Sequence, residues 1–249
     1  MKVKSILVSQ PKPQVENSPY FEIEKRYKIK IDFRPFIQVV GVDGKDVRQQ
    51  KIDFQKVTAV IFTSRNAIDH FFRIAEELRL HIPDTMKYFC ESEAIAFYLQ
   101  KYIVYRKRKV YIGEKTFSDL VPLFKKHKDE KFLLPASDVL KADVPALLDS
   151  LKLDWQVATL FRTVSSDLSD LSDVKYDILA FFTPSGIKSL FENFPDFVQD
   201  ETRIAVFGPT TVKAAKEAGL RIDIEVPTKE APSMTMALEK YIKEVNKSK

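Results

Sequence analysis

Short, dense apolar runs alternate along this chain with stretches in which apolar residues recur three and four apart. Residues 5–9, 57–62, 88–90, 131–135, 155–163, 176–182, 204–207 and 221–226 are rich in Val, Ile, Leu and Phe and too short for buried helices. They read as buried strands. Between them, Ile68, Phe71, Phe72, Ala75 and Leu78 share one helical face, as do Ile187, Leu190, Phe191 and Phe194, and again Met234, Leu238, Tyr241, Ile242 and Val245. Residues 20–27, 117–124 and a stretch ending near Leu151 read as further helices. Residues 29–40 alternate in part around Pro35 and read as strand, bend, strand. Residues 104–112 read as one or two short strands. Residues 47–54 are weakly patterned, and 10–19 and 165–172 read as a proline-rich loop and a polar connection. Strands alternating with helices predict an α/β fold of parallel sheets covered on both faces.

Several of the strand ends carry hydroxyls. Residues 203–215 show the pattern best. An apolar strand runs into Gly208, which permits a sharp turn, and Pro209 suits the first position of a helix. Thr210 and Thr211 then stand where backbone N–H groups point outward unpaired. Thr63 and Ser64, Ser92, Ser137, and Thr183 and Ser185 occupy the same place after other strands. Singly, each such hydroxyl reads as a helix cap. Together they lie at the carboxyl ends of parallel strands, where ligands bind in such sheets. A helix mouth favours an anion, so the set suggests two sheets facing a common cleft for a polyanion.

Composition narrows the partner. The chain has 249 residues and a formal charge of +5, a mild basic bias that fits a polyanionic small molecule and is too weak to imply nucleic acid. The run Arg106-Lys107-Arg108-Lys109 reads as a solvated face, or as a device that steers an anion, because no stacking aromatics interleave it. One cysteine, Cys90, excludes an internal disulfide and zinc-ligand spacing and fits a reducing cytoplasm. His70, His81 and His127 are scattered and read as packed or solvated side chains. With six glycines, and neither G-x-G-x-x-G nor a P-loop, a nucleotide cofactor is not expected. No apolar run reaches signal-peptide or membrane-span length, so the chain reads as soluble and cytoplasmic, with no membrane partner.

Three segments carry a family resemblance: Phe181-Phe182-Thr183-Pro184-Ser185-Gly186, Phe207-Gly208-Pro209-Thr210-Thr211 with Gly219 downstream, and Ile61-Phe62-Thr63-Ser64-Arg65-Asn66-Ala67. In their order and spacing over nearly the whole chain, with Pro227-Thr228 behind them, they resemble the uroporphyrinogen-III synthases. The resemblance implies two Rossmann-like parallel-sheet domains joined by a two-stranded β-ladder, with the ligand cleft between them. One domain is discontinuous, residues 1–35 plus 167–249. The other, residues 41–158, is inserted into it, with 36–40 and 159–166 as the linking ladder. The two connections suggest hinged domains that close on substrate. The implied reaction closes the linear tetrapyrrole hydroxymethylbilane into uroporphyrinogen III, inverting the last pyrrole ring and losing water, in haem biosynthesis. It implies no metal and no organic cofactor. A monomer is the default expectation, because both sheets can be covered by the chain's own helices. The substrate's eight carboxylates give the helix mouths a purpose. By position, the substrate-binding residues carried over are Thr63, Ser64, Ser92, Thr183, Ser185, Gly186, Thr210 and Thr211.

Two positions depart from the family pattern. Phe161 stands where a tyrosine proposed to assist departure of the hydroxyl is common, which leaves Tyr176 or water as the candidate acid, or a reaction that needs none. Glu91 and Glu93 flank Ser92, where they repel an anionic ligand. Two other readings stay open, the first of them on account of these departures. One is a non-catalytic module of the same fold that holds an anionic tetrapyrrole or another polycarboxylate. The weaker one is a basic interaction module built on residues 101–131.

Overall fold

The computed structural model describes residues 2–140, 142–171 and 175–247. In chain order it opens with β1 (Ser5–Val8), α1 (Pro19–Tyr27), β2 (Lys30–Phe33) and β3 (Ile37–Gly41). Then come α2 (Gly44–Gln49), β4 (Ala59–Phe62), α3 (Arg65–Glu77), β5 (Lys87–Cys90), α4 (Glu93–Leu99), β6 (Val110–Ile112), α5 (Val121–Lys126), β7 (Lys131–Ser137) and α6 (Asp143–Ser150). β8 (Asp154–Ser165) leads to β9 (Ile178–Phe181), α7 (Pro184–Asn193), β10 (Arg203–Phe207), α8 (Pro209–Glu217), β11 (Ile224–Val226) and α9 (Met234–Lys247). Two compact units result: Met1–Gln38 with Val164–Lys249, and Val39–Thr163. The division falls inside β3 and β8.

The first unit is a five-stranded sheet in the order β11-β10-β9-β1-β2, and every recorded pairing is parallel. The order reverses between β1 and β9, where Leu7 lies opposite Leu179. Alternation of side chains splits this unit's core in two. Ile6, Val8, Ile31, Ile178 and Ala205 face α1 and α9, burying Ile23, Met234, Leu238 and Ile242. Leu7, Leu179, Phe181, Ile204 and Val206 face α7 and α8, burying Ile187, Leu190, Val212 and Ala215. Period-2 alternation along a strand that is covered on both faces reads in sequence as a continuous apolar run, as found here.

The second unit is a six-stranded sheet in the order β3-β8-β7-β4-β5-β6. Its order reverses between β4 and β7, which pair in parallel. One face packs Val60, Phe62, Tyr88, Cys90 and Leu160 on α3 and α4. The other packs Ile61, Phe89, Phe132 and Leu134 on α5 and α6. β3 and β8 form a ladder. Val42 N–H donates to the Leu160 carbonyl and Ser166 N–H to the Phe36 carbonyl, both at 2.9 Å. Those pairings set 42 against 160 and 36 against 166, so the ladder runs antiparallel. Arg73 from α3 grips it, with Nη2 donating to the carbonyls of Val42 (2.7 Å) and Leu160 (3.2 Å). A Cβ on Gly41 would stand 2.9 Å from the Arg73 guanidinium carbon, so a side chain there would displace the arginine from this grip.

Some expectations need correction. Within 47–54 the chain ends α2 and starts a 3-10 turn at Phe54–Lys56, and both elements are too short to show a period. Residues 104–112 hold one short strand, β6, within the expectation of one or two, because Arg106 to Lys109 closes a turn through a 2.8 Å backbone bond. Residues 117–124 divide into a 3-10 turn at Phe117–Leu120, started by a Thr116–Asp119 capping box, and then α5, with Pro122 in its first turn. The expected 165–172 connection holds a 3-10 turn at Ser169–Leu171 and ends outside the described residues.

Candidate functional site

Four of the five expected mouths, at α3, α4, α7 and α8, form where a strand's carboxyl end meets a helix, and they differ in how their N–H groups are used. At α7, Thr183 is extended and its Oγ1 accepts the Gly186 N–H at 3.1 Å. That bond consumes a lone pair and leaves the hydroxyl proton available as a donor. Pro184 brings no N–H, so the mouth offers the N–H and hydroxyl of Ser185, which is half-buried. Gly186 is buried. A Cβ there would lie 3.5 Å from Thr183 Oγ1 and 3.9 Å from Ser9 Oγ. Ser9 directly follows β1, the strand beside β9 at the order reversal, and so adds a hydroxyl to this mouth. Sequence reasoning passed over Ser9 because a proline-rich loop follows it rather than a helix.

At α8 the cap is Gly208, at φ 87° and ψ 150°, so no side chain closes the mouth. Pro209 again lacks an N–H, and the first unpaired donors belong to Thr210 and Thr211. Thr210 is exposed. Thr211 is buried, at 1% exposure, and its hydroxyl has no hydrogen-bond partner among the described residues. Phe182 and Phe207, the residues at the two strand ends, stack at 6.1 Å and hold the α7 and α8 mouths side by side.

In the second unit Ser64 caps α3, accepting the Ala67 N–H at 3.1 Å, with Thr63 half-buried before it. Ser92 begins α4 in the same extended conformation but makes no cap bond, and Glu93 lies in that helix's first turn. Ser137 ends β7 in a tight turn with Val139, and α6 starts only at Asp143, so Ser137 is not at a helix mouth. Thr63 and Ser64 lie beside the reversal of strand order, and Ser92 lies one strand further out.

The acid–base candidates are engaged elsewhere. Phe161 is buried in the core and stacks on His70 at 5.1 Å. Burial and the neighbouring Arg73 charge lower the His70 pKa, and its Nδ1 accepts from Arg73 Nε at 3.2 Å. Tyr176 donates its hydroxyl to Asp32 Oδ2 at 2.9 Å, and burial and that carboxylate push its pKa up to about 12. It precedes β9, at the opposite end of that strand from Thr183, so it is not placed to protonate a ligand at the α7 mouth. The Cys90 thiol is buried, and burial pushes its pKa up to about 12. Among the described residues no group of His, Cys, Asp and Glu converges to hold a metal ion, and no helix is long and apolar enough to cross a membrane.

Concavity points away from the mouths. A cavity of about 840 Å³ opens near the amino ends of β9 and β10, around Tyr176, Asn193 and Arg203. Another of about 780 Å³ follows α3 around Asp69, Arg73 and Tyr102. None of the eight carried-over residues lines either one. A helix mouth is an open patch of N–H donors rather than a hollow, which suits the carboxylate arms of a large ligand.

The model of a protein family described as uroporphyrinogen-III synthase HemD matches residues 22–236. No curated protein matches the chain significantly. Among solved structures, the uroporphyrinogen-III synthetase of Helicobacter pylori is similar at a TM-score of 0.62 and 17% identity, over 97% of this chain and 99% of that one. A mutant uroporphyrinogen III synthase of the extremely thermophilic bacterium Thermus thermophilus is similar at a TM-score of 0.56 and 14% identity, over the same shares. At these identities the likeness is one of fold.

Proposed function

The chain belongs to the uroporphyrinogen-III synthase family, and on that premise we propose how it handles its substrate. Its reaction is the closure of hydroxymethylbilane to uroporphyrinogen III in tetrapyrrole biosynthesis. The carboxylates of the substrate are anchored on the helix mouths of α7, α8 and α3. Thr183, Ser185, Thr63 and Ser64 donate through their hydroxyls, and Thr210 and Thr211 through backbone N–H groups. The observation that carries this reading is the α8 mouth, which starts on a glycine, has no side-chain cap and leaves its first N–H groups for a ligand. Gly186 supports the α7 mouth by donating its N–H to the Thr183 hydroxyl oxygen, and Ser92 takes a lesser part because Glu93 repels an anion beside it.

The chemistry asked of the protein is modest. The C–O bond of the hydroxymethyl group breaks and water leaves. The electron-poor methylene that remains is attacked by the last ring, which forms the closing C–C bond. Unassisted, the ring attacks through its unsubstituted carbon and gives the uninverted isomer. The protein fixes the chain's conformation so that the substituted carbon attacks instead, which is catalysis by positioning. That carbon then carries two bridges; its older bond, to the neighbouring bridge methylene, breaks, the methylene rejoins at the ring's unsubstituted carbon, and loss of the proton there restores the pyrrole in its inverted sense. Fixed N–H dipoles near developing charge add to it. That task fits a site in which Phe161, Tyr176, His70 and Cys90 are all committed to the core or to other partners. Reaction in the cytoplasm by a monomer is proposed with it, supported by sheets whose apolar faces are covered by helices of the same unit.

The test is a coupled assay in which hydroxymethylbilane is generated in place and the oxidised type III and type I isomers are separated. Type III in excess over the protein-free control is expected. Type I alone, from folded protein, would leave a module that binds tetrapyrroles without turning them over.

A further inference from the structure

Arg65 is the first helical residue of α3, directly after the Ser64 cap. A surface arginine there has an obvious partner, the carboxylate of Asp69 one turn on. Asp69 is occupied otherwise. The Tyr98 hydroxyl donates to it at 2.9 Å, the Tyr102 hydroxyl donates to the same carboxylate, and Lys101 Nζ stands 3.7 Å away. Arg65 instead lies over the Tyr98 ring, its guanidinium carbon 5.3 Å from the ring centre. Among the described residues it makes no ion pair with any carboxylate within 4 Å. A guanidinium supported on an aromatic face, with its acidic neighbour engaged by other groups, keeps its in-plane N–H fork for something else.

We infer that Arg65 is a substrate-binding residue which takes one carboxylate of the tetrapyrrole through its guanidinium fork, and that Tyr98, anchored on Asp69, is its positioning residue. The inference rests on the proposed reading of the helix mouths and adds a side-chain cation to the α3 mouth. The fork matches a carboxylate with two parallel N–H donors, which a lysine ammonium does not. Because the cation is exposed, it also draws the polyanion toward that mouth before contact.

Steady-state kinetics with hydroxymethylbilane, corrected for spontaneous closure, test this on the full chain. Arg65→Gln is expected to raise KM about tenfold and change kcat by less than about twofold, as for loss of one charge-assisted contact. Arg65→Lys restores part of the loss. Tyr98→Leu raises KM in the same direction and to a smaller extent, although Tyr98 meets no substrate. Added salt raises the wild-type KM and raises that of Arg65→Gln less steeply. Arg48→Gln, an exposed arginine on α2 of the same unit, controls for net charge. A wild-type KM in Arg65→Gln, while Ser64→Ala and Thr183→Ala still raise KM, would overturn this inference alone. An equal rise in Arg48→Gln would also overturn it. A wild-type protein that gives no excess type III isomer would overturn the underlying reading and this inference with it.

Discussion

Thr211 holds its buried hydroxyl without a hydrogen-bond partner among the described residues. An unpaired buried hydroxyl costs folding free energy, and an apolar group of the same shape removes that cost. Thr211→Val is therefore expected to raise stability by up to about 1 kcal/mol, a shift of a few degrees in the melting midpoint for a chain of this size. If the backbone N–H carries the binding, type III output survives the change. A lowered midpoint in a thermal scan would show that the hydroxyl has a partner after all. The cap residues separate in the opposite sense. Ser64→Ala and Thr183→Ala each lose a cap bond and should cost about 1 kcal/mol, read as a lower urea midpoint. Ser92→Ala loses no cap bond and should leave the midpoint within about 0.5 kcal/mol of wild type.

At the scale of elements, the turn into α8 is the most demanding. Gly208 lies at φ 87° and ψ 150°, a region that is essentially glycine-only, yet no atom stands within 4 Å of where its Cβ would be. The cost of a side chain there is conformational rather than steric, roughly 1–3 kcal/mol. Gly208→Ala should lower stability by that amount, and Gly208→Asn should not rescue it, since this is not the left-handed helical region that asparagine tolerates. Equal denaturation midpoints for Gly208→Asn and wild type would contradict this. The turn was legible in sequence because its glycine and proline act locally, and so were the buried strands and the caps at Ser64 and Thr183. Legibility ended where geometry depends on distant residues. Ser9 joins the α7 mouth only because β1 lies beside β9. Arg65 reads as an ordinary surface arginine until Tyr98 is brought under it. Ser137 looked like a helix mouth, but its hydroxyl closes a turn with Val139 instead. Tyr176, the candidate acid, proved to lie at the wrong end of its strand, which its place in an apolar run did not reveal.

At the scale of the whole molecule, the two units answer acid differently. All three histidines, His70, His81 and His127, lie within Val39–Thr163. Burial and positive neighbours hold the pKa of His70 and of His127 below the ordinary 6.5, and Nε2 of His127 is buried beside Phe89 and Tyr111 without a partner among the described residues. The unfolded chain takes up these protons at a higher pH than the folded unit does. Stability is therefore undiminished by them above pH 6.5 and falls as pH drops below it. Hydrogen exchange between about pH 7.5 and 5.5 should show amides of β4, β5 and β7 losing protection before those of β1, β9 and β10, and the reverse order would refute the assignment. The nested chain path has a consequence of its own during synthesis. β1 and β2 leave the ribosome early, but β9, the partner of β1, follows only after the whole of residues 39–163. At roughly 5–20 residues per second the wait is on the order of ten seconds. Through it β1 and β2 have only each other and α1, while the face of β1 that carries Leu7 waits for β9 and α7. A ribosome that stalls once residue 163 has cleared its exit tunnel, with β9 still inside, would therefore present a unit with a complete two-faced core, led by an apolar segment that still lacks its partner and is open to chaperones or to aggregation.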